Sequence, residues 1–213
     1  MMKLTFYTGG IAATNGWLLE TETGAVVVDA PYEMQGWLEK QGIQPVAILV
    51  THQHFDHVQA VAAIAERWAC PVYAWQAFSR DLTLERLAGR GEIALFHVPE
   101  FTVTQALDGL GKLSLLGLDW QLLHVPGHSL DSVCFYQPEL GLLFGGDVLM
   151  AGGLGRCDFP GGSMQQLLSG IQQKLLPLPG ETRVLPGHGS ETTIKEEKET
   201  NPYLQQTRAY QLP

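Results

Sequence analysis

The sequence has little cysteine. Cys70, Cys134 and Cys157 are the only three in 213 residues. They are too few and too scattered for a disulfide scaffold or a cysteine-based zinc site. Such usage fits a reducing compartment, so a cytoplasmic location is expected. Basic residues are also scarce: 13 Lys and Arg face 22 Asp and Glu, a formal net charge of −9. No cluster of Lys or Arg is visible, which argues against nucleic acid as a partner, because phosphate backbones are bound by grouped cations that release counterions. No apolar run approaches the ~18 residues of a membrane span, so no membrane partner is expected. The N-terminal apolar stretch is broken at Gly9-Gly10 and is shorter than a signal peptide needs. Repeats, low-complexity segments and flexible linkers are absent.

The chain is nevertheless 45% hydrophobic and long enough to bury a substantial core. It reads as one domain over 1–213, with a short charged tail at about 191–213. Leu4–Tyr7, Gly16–Glu20 and Ala25–Asp29 are β-prone runs between turn signals. A helix is expected over Tyr32–Gln41. Val46–Val50 is an apolar run of strand length that fits burial on both faces. Apolar residues from Val58 to Trp68 recur at helical spacing, and Val72–Ala74 is a short strand. The stretch Gln76–Gly109 is the least legible, with a short helix expected near Asp81–Leu87 and strand pieces after it. Strands return at Lys112–Leu116, Asp119–His124, Ser132–Gln137 and Gly141–Phe144. Further on come a helix over Ser163–Leu176 and a strand at Arg183–Leu185. This order predicts an α/β fold of two sheets packed face to face with helices outside, four layers in all.

The strongest chemical signal is Thr51-His52-Gln53-His54-Phe55-Asp56-His57, directly after the buried strand and before a helix. Residues i and i+2 of an extended segment point the same way, so His52 and His54 can reach one metal ion. The chain then turns, and Asp56 and His57 can face a second point nearby. Imidazole and carboxylate ligands at such spacing are what zinc or iron requires; a loop of solvated histidines is the plainer alternative. Three more segments place a ligand at the end of an apolar run beside glycine: Gly127-His128-Ser129, Gly146-Asp147 and Gly187-His188-Gly189. Glycine there lets the backbone come close.

The series His-x-His-x-Asp-His, Gly-His-Ser, Gly-Asp and Gly-His-Gly resembles the metallo-β-lactamase superfamily over nearly the whole chain, to about Leu204. The resemblance implies a four-layer αββα sandwich of two mixed β-sheets. It implies two divalent metal ions, zinc first, with iron or manganese also suited to His and Asp ligands. By position, His52, His54 and His128 are implied for one metal and Asp56, His57 and His188 for the other, with Asp147 between them. The implied nucleophile is a hydroxide bridging the metals, which Asp56 orients as a catalytic residue.

Within the superfamily, Asp147 stands where class B1-type lactamases carry a cysteine, and His54 where the flavodiiron branch carries Glu. The short spacings between His128, Asp147 and His188 leave no room for a nuclease insertion. Gly155-Arg156-Cys157-Asp158-Phe159 and Asn201-Pro202-Tyr203-Leu204 are similar to segments of the glyoxalase II-like group and, for the first, of the persulfide dioxygenases. The tail is expected to be shorter than the glutathione-binding extension of the longer glyoxalase II enzymes. The expected activity is therefore hydrolysis of a small-molecule thioester of the S-acylglutathione type. A one-iron persulfide dioxygenase using His52, His128 and Asp147, or another small-ester or lactone hydrolase, are the alternatives. Arg156 is expected to bind substrate; an ion pair with Asp158 or Asp147 is its structural alternative. Cys157 is expected to pack and His97 and His124 to be ordinary strand-end residues. Trp17, Trp37, Trp68, Trp75 and Trp120 are expected in the core or at its rim, with a place on the substrate path as the lesser alternative for Trp75.

Overall fold

Period-two alternation along the strands sorts the side chains into three apolar layers, and the layers define the architecture. In the computed structural model, which describes residues 2–87 and 96–209, the first sheet orders β1 (Lys3–Gly9), β2 (Thr14–Thr21), β3 (Gly24–Val28), β4 (Ala47–Leu49), β5 (Val72–Ala74) and β6 (Gln105–Ala106) from edge to edge. Pairing is antiparallel across β1–β3 and parallel from β3 to β6.

The second sheet contains β7 (Lys112–Leu115), β8 (Leu118–His124), β9 (Val133–Gln137), β10 (Leu142–Gly146), β13 (Arg183–Pro186) and β14 (Thr192–Thr193), in the order β14-β13-β10-β9-β8-β7. Only the β10–β13 pair is parallel, so both sheets are mixed. A small hairpin of β11 (Leu149–Met150) and β12 (Gly153–Leu154) stands apart.

Trp17, Leu19, Val26, Val28 and Leu49 point from the first sheet into the interior and meet Trp120, Leu122, Phe135, Phe144 and Leu185 of the second. Their sequence neighbours Leu18, Val27 and Ile48 point the other way. They pack under α1 (Met34–Gln41) and α3 (Val61–Trp68) through Met34, Leu38, Val61 and Ile64. On the far side, Cys134, Tyr136, Leu143 and Val184 pack under Leu167, Ile171, Leu175 and Ile194. Strands buried on both faces read as continuous apolar runs, which is why Val46–Val50 and Leu142–Phe144 were legible. The result is the expected four-layer αββα sandwich. Among the described residues, no helix is long and apolar enough to cross a membrane.

Several boundaries differ from expectation. The first helix begins at Met34 because Pro31 and a left-handed Glu33 (φ 67°) intervene. The helical stripe from Val58 is split into α2 (Phe55–Val58) and α3, with the Ala60 N–H donating to Ala30 O. The helix expected over Ser163–Leu176 is α-helical over Met164–Gly170 and then widens to a π-turn over Ile171–Leu175. In Gln76–Gly109 the described elements are Arg80–Thr83, a 3-10 turn at Glu85–Leu87 and β6; residues 88–95 lie outside the described residues. The tail carries helices Ile194–Thr200 and Pro202–Ala209. The three cysteines are free thiols, and Cys157 packs against the outer layer of the second sheet as expected.

Candidate metal centre

The seven expected ligands lie just beyond the C-terminal ends of four strands. His52 and His54 come after β4, and Asp56 and His57 sit in the first turn of α2. His128 comes after β8, Asp147 directly follows β10 and His188 comes after β13. Since β8, β10 and β13 run in one direction, their ends share one edge of the sandwich. The two sheets are stitched together there: Asn15 N donates to Gly187 O at 2.7 Å and Trp17 Nε1 to Pro186 O at 3.0 Å. Val133 N donates to Thr51 O at 2.9 Å.

The side chains form three overlapping groups whose ligand atoms lie within 4.8 Å of one another: His52, His54 and His128; His52, His57 and Asp147; and Asp56, His57 and His188. His128 Nε2 is 3.2 Å from His52 Nε2. Asp147 faces three imidazoles, with Oδ1 3.4 Å from His57 Nε2 and Oδ2 3.4 Å from His128 Nε2 and 3.3 Å from His188 Nε2. Asp56 Oδ2 is 3.3 Å from His188 Nε2 and 3.6 Å from His57 Nε2.

Outer partners fix how the imidazoles point. A carbonyl oxygen only accepts, so His128 Nδ1 donates to Arg156 O (2.7 Å) and His188 Nδ1 to Ala12 O (3.1 Å). His57 Nδ1 donates to the buried Asp29 Oδ2 at 2.8 Å. Each bond turns that ring's Nε2 inward, as the outer shell of a metal site does. Asp29 also accepts from Thr51 N (2.8 Å) and Thr51 Oγ1 (2.7 Å), and Thr14 Oγ1 donates to Asp56 Oδ2 at 2.6 Å.

Sequence reading missed Thr14, Asp29 and Thr51. Asp29 repeats the theme of the ligands, a polar residue closing the apolar run Val26–Val28, and it takes a left-handed φ of 59°. Short polar residues tolerate that conformation.

The donor set fits a metal. His57 Nε2 and Asp147 Oδ1 are buried and make no hydrogen bond, an arrangement that costs free energy unless another group satisfies them. The backbone leaves them their space: a Cβ on Gly187 would collide with Asp147 Oδ1 and with the His57 ring.

Electrostatics divides the centre. Burial holds His54 down at about 3, pushes His52 well below its usual value and lowers His128. Burial also opposes charge on His57 and His188. The carboxylates outweigh it: Asp56, Asp147 and Asp29 raise His57 well above its usual value, and hydrogen bonds to Asp147 and Asp56 raise His188 to about 9. Burial opposes ionisation of Asp56 and Asp147 too, but the facing imidazoles bring Asp56 to about 2 and hold Asp147 well below the usual range.

A cavity of about 430 Å³ opens onto this centre. His54, Asp56, His128, Asp147 and His188 form its polar floor; Phe55, Leu84, Met150, Leu154 and Phe159 form apolar walls. Arg156 is on the wall. Its guanidinium grips Asp158 through Nε (2.9 Å) and Nη2 (2.7 Å) and lies 4.4 Å from the Phe159 ring centroid. The ion pair with Asp158, the structural alternative for Arg156, is therefore present, and the residue also lines the cavity. Trp75 is not on the cavity wall; it stacks on His124 at 4.0 Å. His97 lies 3.8 Å from Glu85 and makes no part of the ligand groups. A groove of similar volume between Tyr7, Tyr32 and Trp37 touches none of the seven ligands.

Residues 9–188 match the metallo-beta-lactamase superfamily. The chain belongs to that family. It is 35% identical to the probable metallo-hydrolase YqgX of Bacillus subtilis, over 92% of this chain and 94% of the relative. It is 34% identical to the hydroxyacylglutathione hydrolase GloC of Haemophilus influenzae, over 87% and 89%. Among solved structures, it is similar to the BLEG-1 B3 metallo-beta-lactamase, with a TM-score of 0.85 and 33% identity over 95% of this chain and 99% of that one. It is also similar to TTHA1623 in a di-iron-bound form, with a TM-score of 0.77 and 38% identity over 94% and 100%. As a member of this metallo-hydrolase family, with its His and Asp groups gathered under a cavity, the chain is a metal-dependent enzyme.

Proposed function

We propose that the chain is a binuclear thioester hydrolase whose substrate is of the S-acylglutathione type, as the name of its relative GloC states for that protein. The observation that carries the reading is Asp147, whose two oxygens face ligands of both pockets at 3.3–3.4 Å. His52, His54 and His128 would hold one divalent ion and Asp56, His57 and His188 a second, with Asp147 within reach of both groups. Zinc, iron and manganese all suit these ligands. When bound, the ions supply Lewis acidity toward a carbonyl oxygen and make water acidic enough to be a nucleophile near neutral pH.

The chain's own groups do the rest. Asp56 stays ionised and is fixed by Thr14, so its carboxylate can accept a proton of the attacking water and aim it. Phe55, Leu84, Met150, Leu154 and Phe159 exclude bulk water and hold the acyl group over the floor. Arg156, on the wall, meets the thiol portion of the substrate. The outer hydrogen bonds of His57, His128 and His188 keep their Nε2 atoms pointed inward through the cycle.

The test is thiol release from S-lactoylglutathione by protein of measured metal content. Release that scales with two ions per chain is expected. Ring opening of a β-lactam without thiol release, or oxygen uptake with a glutathione persulfide by protein holding one iron, would overturn the reading.

A further inference from the structure

His52 and His54 come from the first sheet and His128 from the second, yet His52 Nε2 and His128 Nε2 stand 3.2 Å apart. His128 Nδ1 donates to Arg156 O, so Nε2 of the neutral ring turns a lone pair inward, and two such nitrogens repel when no proton or ion lies between them. Something must hold the two loops in place.

One buried side chain reaches both. Asp131, 1% exposed, accepts from Gln53 N, between His52 and His54, at 3.1 Å through Oδ2. Through Oδ1 it accepts from Ser129 Oγ, beside His128, at 2.5 Å. The Gln53 side chain extends the clamp: its Nε2 donates to Ala77 O at 3.2 Å and its Oε1 accepts from Ser79 N at 2.9 Å. Among the described residues no cation pairs with Asp131, so an ionised carboxylate here lacks the pairing that usually accompanies burial. A group chosen for stability alone would be apolar or paired.

We propose that Asp131 is a positioning residue for the three-histidine pocket: its two oxygens pin the His52–His54 loop to the His128 loop at metal-binding distance. The proposal rests on the metal assignment above but not on the identity of the substrate. A carboxylate is required because both partners donate. Asparagine offers one acceptor and turns an N–H2 toward the other donor.

The test is metal binding, not turnover. Metal-stripped wild type, Asp131→Asn and Ser129→Ala are titrated with Co²⁺. The visible absorption of the bound ion reports the first and second equivalents, and unfolding of the metal-free proteins is measured in parallel. Supporting groups around metal ligands typically account for ~10–100-fold in affinity, and a loss in that range is expected for the first equivalent, with an altered absorption band. A purely structural role would shift unfolding and leave first-equivalent affinity within about threefold of wild type in both variants, well short of that range, which would overturn the proposal. Should Asp131→Asn fail to fold, Ser129→Ala decides alone, since it keeps the carboxylate and its bond to Gln53. A loss above about threefold then supports the clamp and a smaller one overturns it. Absence of any Co²⁺ binding by wild type would instead overturn the metal assignment itself.

Discussion

His52, His54 and His128 meet without a carboxylate of their own, whereas Asp56, His57 and His188 meet around one; both groups face Asp147. The first pocket is made by burial: its imidazoles are pushed toward the neutral form and are ready to donate lone pairs. The second is made by charge: without metal, its imidazoles are raised by the carboxylates and carry protons. One ligand type thus serves two ends. The first pocket depends on loop positioning, and in the second the ion must displace protons, so the two should differ in order of filling and in response to pH.

The largest effect should come from removing what the pockets share. Asp147→Ala should lower the metal content of both and cut thioester turnover by more than the ~100-fold typical of supporting groups, as read by elemental analysis and thiol release. Retained metal with full turnover would erase the distinction between a shared and a private ligand. Asp29→Ala should act most directly on the charged pocket, through His57, and less on the three-histidine pocket, which it reaches only through Thr51 and His52 Nδ1. A ~10–100-fold weaker second equivalent is expected, with the first within about threefold, by metal titration.

A smaller effect concerns the metal-free fold. His188 is raised from 6.5 to about 9, so its protonated form favours the folded state. That contribution is complete below about pH 6.5 and is lost as pH rises through about 9. The unfolding midpoint of stripped protein should therefore fall between about pH 7 and 9, and less steeply in His188→Gln. The smallest effect is expected at Arg156. Its main-chain oxygen holds His128, while its side chain is two-thirds exposed and paired with Asp158. Arg156→Ala should raise KM a few-fold and leave metal stoichiometry unchanged.

The same contrast explains how much was legible in the sequence. All seven residues that the structure gathers into these groups could be named because each closes an apolar run or sits in one dense motif, and the end of a buried strand displays the next residues of the chain. The layers were legible because strands buried on both faces have few polar residues. Thr14 and Asp131 were not, because their roles are contacts across 42 and 78 positions that no local pattern records. The break after Val58 and the π-turn at Ile171 were missed for a related reason: apolar spacing continues through both, while tertiary bonds such as Ala60 N to Ala30 O redirect the backbone. Trp75 packs at the core rim as expected of the tryptophans, and its stacking on His124 is a contact that no local pattern records.

The most direct test of two unequal pockets sharing Asp147 is metal content per chain after equilibration at about pH 8 and about pH 5.5 with limiting free metal. The second pocket loses affinity ~tenfold per pH unit for each proton its ion must displace, whereas burial pushes the imidazoles of the three-histidine pocket toward the neutral form, so its ion competes less with protons. Two ions per chain at the higher pH falling to one at the lower is the predicted result. One ion at both values, or two ions lost together, would contradict it.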